Sequence, residues 1–174
     1  MRTTDVSPAL ALLFAELVEG TSGKQGAFML NSGDLGLLRS IEKISAADAS
    51  RSINGGATIA AHALHLSYGL SLMNRWAREG GDPFADATWD VPWKTSNVDE
   101  TRWTEIRTGL RDEAQRWRDT LNTPREVTGV ELAGMIGSIA HLAYHLGAIR
   151  QIDRGARGPT AEDEQRFERT QASP

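Results

Sequence analysis

Two stretches of helix length carry no group that is charged near neutral pH except histidine. They are residues 57–73, "ATIAAHALHLSYGLSLM", and residues 132–149, "LAGMIGSIAHLAYHLGAI". A helix that is apolar around most of its circumference has to be covered on most of its sides. The two stretches are therefore expected to be the buried pair of a helical assembly. The chain has 174 residues, enough for one domain with a sizeable core.

Helix punctuation surrounds both runs, and strand patterns are nearly absent. Ser7 followed by Pro8 marks a helix start, with proline at the first helical position, and that helix runs to about Gly20. A short helix is expected near Asp34, and "SAAD" from Ser45 has the capping-box pattern. "NGG" at 54–56 breaks the chain before the second long helix, which stops at Gly80 and Gly81. A connection with two prolines follows.

Asn97 to Glu100 has capping-box spacing and opens a third long helix to about Leu121. Its apolar stripe is Trp103, Ile106, Leu110, Ala114, Trp117 and Leu121. Thr128 to Glu131 caps the fourth, which ends near "GARGP". The expected fold is all-α: a four-helix bundle with short extra helices over residues 1–155, then a polar tail over 156–174.

Composition removes several function classes. A net charge of -4 disfavours nucleic acid, which asks for a basic face. The arginines between 102 and 118 alternate with Glu105, Asp112 and Glu113, as on a solvated helix face. With no cysteine there is no disulfide, no thiolate metal site and no cysteine nucleophile. The N-terminal apolar patch is short and broken by Glu16 and Glu19, unlike a signal peptide or an anchor. Residues 132–149 are long enough to raise a membrane span, but two histidines, Ser138 and Tyr144 argue against one. No membrane partner and a cytoplasmic location are the expectation.

The four histidines of the chain fall as two pairs inside the two apolar runs: His62 and His65, His141 and His145. Spacings of three and four put each pair on one helical face. An unmet hydrogen bond on a buried ring costs about 1–3 kcal/mol. Four rings in two core helices call for a common partner, and a divalent metal supplies one. A single core histidine is usually satisfied by a nearby oxygen; two isolated pairs on two apolar helices shift the balance towards metal. The stretch "HLAYH" lacks the glutamate of a zinc-protease helix, and neither run offers the Glu-x-x-His of a di-iron bundle. Three imidazoles would leave coordination positions open, as in catalytic sites. Zn2+ and Ni2+ both suit such nitrogen ligands, and spacing does not choose between them.

"GATIAAHALHLSYGL" with "GSIAHLAYHLGAIRQI" resembles the DinB/YfiT-like superfamily of bacterial four-helix-bundle metalloproteins. That family has one metal-binding histidine on the second bundle helix and two on the last. The resemblance also takes in "SGDLGLLRSIEKISAADAS" and spans most of residues 8–153. It implies His65, His141 and His145 as ligands. His62 falls where the family has an aliphatic residue, and stands as an additional ligand, an outer ring or an acid–base group. Gly147 matches the family glycine, whereas Leu146 and Ala148 depart from its polar positions. The resemblance further implies a homodimer, a small-molecule substrate and, in some members, a low-molecular-weight thiol such as bacillithiol or mycothiol. A thiol-dependent S-transferase or isomerase is then the first functional reading. A metal-dependent hydrolase and a non-enzymatic, stress-related metal or small-ligand binder are the others. The resemblance names no catalytic residue.

Of the five tryptophans, Trp103 and Trp117 belong to the helix stripe. Trp89 and Trp93 lie in the proline-containing connection, where they either anchor the loop on the bundle or wall a metal pocket or dimer contact. Tyr68 and Tyr144, beside the histidines, read as core, with donation to a metal-bound oxygen as the other reading. Arg39, Asp48 and Arg75 carry no assigned role.

Overall fold

Side-chain caps set most of the helix starts. In the computed structural model, which describes residues 2–21, 27–156 and 158, the elements are α1 (Ser7–Glu19), α2 (Gly36–Glu42), α3 (Ala46–Ala49), α4 (Ile59–Glu79), α5 (Asp90–Trp93), α6 (Glu100–Asn122) and α7 (Gly129–Ile152), followed by a 3-10 turn at Arg154–Ala156. Among the described residues there is no strand beyond one isolated bridge between Arg2 and Glu126. The fold is all-α, as expected. The polar tail from Thr160 lies outside the described residues.

Thr58 starts α4 by accepting the Ala61 amide, and Thr128 with Glu131 forms the full reciprocal box at α7. Ser45 caps α3 through the Asp48 amide. At α6 the cap is Asp99, which accepts the Arg102 amide at 2.7 Å, and not Asn97. A carboxylate two residues nearer takes the role, and Glu100 turns away to accept the Ala46 amide at 3.0 Å. Glu100 thus ties α3 to the start of α6. Proline stands second in α1, one position later than expected. α4 ends at Gly80, whose positive φ of 72° suits glycine.

The four long helices close a ring: α6 packs on α1 and α4, and α7 packs on the same two. One contiguous core fills the ring. The whole expected α6 stripe is buried, with Trp103, Leu110, Trp117 and Leu121 excluded from solvent altogether. Both buried indoles have partners: Trp103 Nε1 donates to the Ile44 carbonyl at 2.7 Å, and Trp117 Nε1 to Ser138 Oγ at 2.8 Å. Ala156 is also fully buried, so the packed part reaches past residue 155.

Two buried carboxylates hold the ends of this ring. Glu16 accepts the amides of Phe28, Met29 and Leu30, organising the chain after α1. Asp34 pairs with Arg150 of α7 at 2.6 Å, their side chains only 2% and 17% exposed.

The expectation of a buried helix pair holds for α4 and only in part for α7. α4 buries 12 of its 21 residues, whereas α7 buries Met135, Ile139, Leu142, His145, Leu146 and Ile149. Val130, Ile136 and Tyr144 face outward, and Tyr144 is 69% exposed. In a ring of four, each helix turns one strip inward, and the apolar residues of α7 run all round it. α7 is long and apolar enough to cross a membrane by length and composition, and a third of its most apolar window is buried.

Candidate functional site

The packing of α4 against α7 brings the two histidine pairs face to face. His65 Nε2 lies 2.9 Å from His141 Nε2, and His62 Nδ1 lies 2.8 Å from His145 Nδ1. One ring atom from each of His65, His141 and His145 falls within 4.8 Å of the others, so these three could hold a metal ion. They are the three residues singled out from the sequence. His62 stands outside that group and reaches it through His145, whose remaining ring nitrogen is then Nε2. The His62 contact fixes the tautomer and ring orientation of His145.

The donor set fits a transition metal. Two nitrogens at 2.0–2.1 Å from one ion, at angles between 90° and tetrahedral, stand about 2.9–3.4 Å apart. The His65–His141 separation falls at the short end of that span. The group contains no carboxylate. His65 Nδ1, on the side of the ring away from His141, is buried without a hydrogen-bond partner among the described residues.

All four rings titrate below the usual histidine range. Burial lowers His65 to about 4, with His141 and His62 adding to the effect. Burial lowers His145 to about 3, helped by His141, His62 and His65. His62 and His141 are also lowered by burial. Neutral imidazole, which carries the lone pair a metal needs, is therefore the form present at pH 7.

His141, expected in the core, is exposed, while Trp93 at the end of α5 lies over the other three rings. Its ring centroid is 4.4 Å from His65, 5.3 Å from His62 and 5.8 Å from His145. Trp89 lies 5.5 Å from His65. Both tryptophans thus pack against the histidines and anchor the loop on the bundle. The loop that carries them is braced on α4: Arg75 binds Asp86 at 2.6 Å and the Pro83 carbonyl at 2.8 Å, and Tyr68 Oη accepts the Thr88 amide at 2.8 Å. Arg75 and Tyr68 are therefore loop braces, roles that spacing alone does not reveal. Thr58, the cap of α4, also holds the far end of the loop through the Thr95 carbonyl at 3.2 Å.

Tyr144, expected in the core, is exposed, with its ring edge-on to His145 at 5.0 Å. Asp48 pairs with Arg51, away from the cluster.

Beyond His141 the site opens into a trough between α4 and α7. It encloses about 520 Å3 and is lined by Leu66, Leu70, Met73, Phe84, Trp89 and His141, with Gly69, Gly134, Gly137 and Ser138. No sequence signal pointed to it, because its lining is drawn from three separated segments. No protein-family model, curated protein or solved structure matches the chain.

Proposed function

We propose that this protein is a divalent-metal-dependent enzyme whose ion is held by His65, His141 and His145, and that it acts as a thiol-dependent S-transferase or isomerase. The single observation that carries the metal reading is the convergence of three neutral imidazoles from two helices within 4.8 Å. The resemblance of the two histidine motifs to the DinB/YfiT-like superfamily supports the bundle type, the thiol and the reaction class. Zn2+ or Ni2+ suits the nitrogen set. Such an ion supplies a Lewis acid that lowers the pKa of a thiol brought to it.

The chain's own residues do the rest. Three uncharged ligands leave the positive charge of an ion uncompensated, which favours an anionic sulfur over neutral donors. His62 orients His145 through their Nδ1 contact. Trp93 and Trp89 shield His65 from water, which strengthens electrostatic interactions there, while His141 stays exposed on the open side of the group. A hydrolase is disfavoured, because the group has no carboxylate to serve as general base. That same lack favours a second reading, a metal or small-ligand binder without chemistry. The exposed apolar residues Val130, Ile136 and Tyr144 of α7 support a homodimer.

The test is elemental analysis of purified protein, wild type beside His65→Ala and His145→Ala, followed by turnover of electrophiles with a panel of low-molecular-weight thiols. The expected result is near-stoichiometric metal in the wild type, its loss in both variants, and metal-dependent turnover with one thiol. Metal without turnover selects the binder. Full occupancy in both variants overturns the site.

A further inference from the structure

The trough beside His141 is built unlike the rest of the molecule. It has no charged residue in its lining, and its volume of about 520 Å3 matches a small-molecule site. Its only polar side chains besides the Trp89 indole are His141 and Ser138, and Ser138 is already engaged. Its hydroxyl donates to the Met135 carbonyl at 2.7 Å and accepts from Trp117 Nε1 at 2.8 Å. A ligand in the trough therefore meets hydrocarbon and aromatic surface along its length and one imidazole at its end.

The glycines sharpen the point. Glycine inside a helix costs about 1 kcal/mol relative to alanine. Gly137 lies mid-way along α7, and a Cβ there would meet nothing within 4 Å. A Cβ on Gly134 would make only ordinary contact with Met73 at 3.7 Å, and one on Gly69 with Trp89 at 3.8 Å. Helix packing does not demand these residues, yet together they keep the space between α4 and α7 open. The trough and the histidine cluster are continuous. His141 belongs to both, and Trp89, which lies along the trough beside Phe84 at 5.7 Å, also stands 5.5 Å from His65.

We propose that this trough receives the uncharged, apolar body of a small-molecule substrate, aromatic or aliphatic, whose one polar group is presented to the three-histidine cluster. The proposal rests on the metal reading above for its polar end and on the trough alone for its apolar end. The sugar-like thiols of the proposed reaction are polar and do not suit this lining. If the thiol reaction proposed above holds, the trough is thus the place of the thiol's hydrophobic co-substrate.

The experiment uses the full chain and two pairs of probes. N-phenyl-1-naphthylamine, neutral and apolar, is titrated by fluorescence into metal-free protein, wild type beside Gly137→Ala and Gly137→Leu. Both substitutions favour the helix, so neither variant is expected to lose its fold, and circular dichroism checks this. The expected result is saturable binding to the wild type, retained in Gly137→Ala and weakened at least tenfold in Gly137→Leu. Naphthalene-2-thiol and 2-methylnaphthalene are then compared with and without Zn2+. The thiol gains at least tenfold from the metal in the wild type, and the hydrocarbon does not. No binding of the naphthylamine, or equal binding in Gly137→Leu, overturns the trough. Zinc that binds without favouring the thiol overturns the link between trough and cluster. Sedimentation during the naphthylamine titration is expected to show an unchanged mass; dissociation of a dimer by the probe would mean that a second copy fills the trough, and overturns the proposal. Failure of the metal reading shows separately, as an absence of zinc binding in elemental analysis.

Discussion

His65 of α4 and His141 of α7 meet Nε2 to Nε2 at 2.9 Å, a separation suited to two ligands of one ion. A neutral N···N contact of this kind needs one proton between the rings, which a metal bound there would displace.

The four histidines are expected to differ in what their loss does. His65→Ala, His141→Ala and His145→Ala each remove a ligand and abolish tight binding. His62→Ala leaves the three ligands and frees the ring of His145, so affinity falls by about 10–100-fold without vanishing. Competition with a chromogenic chelator measures this. Equal losses in all four variants would make His62 a ligand in its own right.

Stability of the metal-free protein is expected to fall as pH drops from about 6.5 towards 4. The folded-state values of His65 and His145 are lowered to about 4 and about 3. Between those values and 6.5 the unfolded chain takes up protons that the folded chain refuses, so protonation favours unfolding. Above 6.5 neither state is charged and the contribution is complete. Thermal melts across this range, wild type beside a His65→Gln/His145→Gln double variant, separate the effect from that of carboxylates. The variant should show the shallower slope, and equal slopes would count against the burial-driven shifts.

Trp93→Ala removes the ring 4.4 Å from His65 and opens His62 and His145 to water. The titration of His65 and His145 should move up towards 6.5, followed by NMR of their ring protons. With an indole 38% exposed, the stability cost is expected to be modest, about 1–2 kcal/mol. Unchanged titration would show that α7, rather than α5, keeps water from the rings.

Arg150→Met leaves Asp34 buried and without its 2.6 Å partner. Asp34 keeps the Gly36 amide at 2.8 Å, which does not neutralise a carboxylate. Breaking such a pair from one side costs about 3–5 kcal/mol, read by chemical denaturation. Metal affinity, measured where the variant is folded, should be unchanged. A parallel loss of affinity would mean that the pair also positions the histidine end of α7.

Much of this was legible in the chain. Caps at Ser45 and Thr128, the glycine stop at Gly80 and the period of the α6 stripe are local signals, and each is decided within one or two helical turns. The pairing of His141 with His145 is equally local, because four residues return a helix to the same face. Where two local signals compete, as Asn97 and Asp99 do at the start of α6, spacing alone ranks them wrongly and the backbone geometry of the loop decides.

What residue order determined by itself was therefore the helices, their stops, and which rings share a face. Only the tertiary structure decided that α4 and α7 meet with those faces opposed, that His62 touches His145 and stays out of the three-residue group, that Trp93 lies over three of the rings, and that one side of α7 is left bare. The reason is that helix periodicity fixes direction only about a helix's own axis. The rotation of one helix against another, and the fold of a loop across both, follow from how side chains far apart in sequence fill a common core.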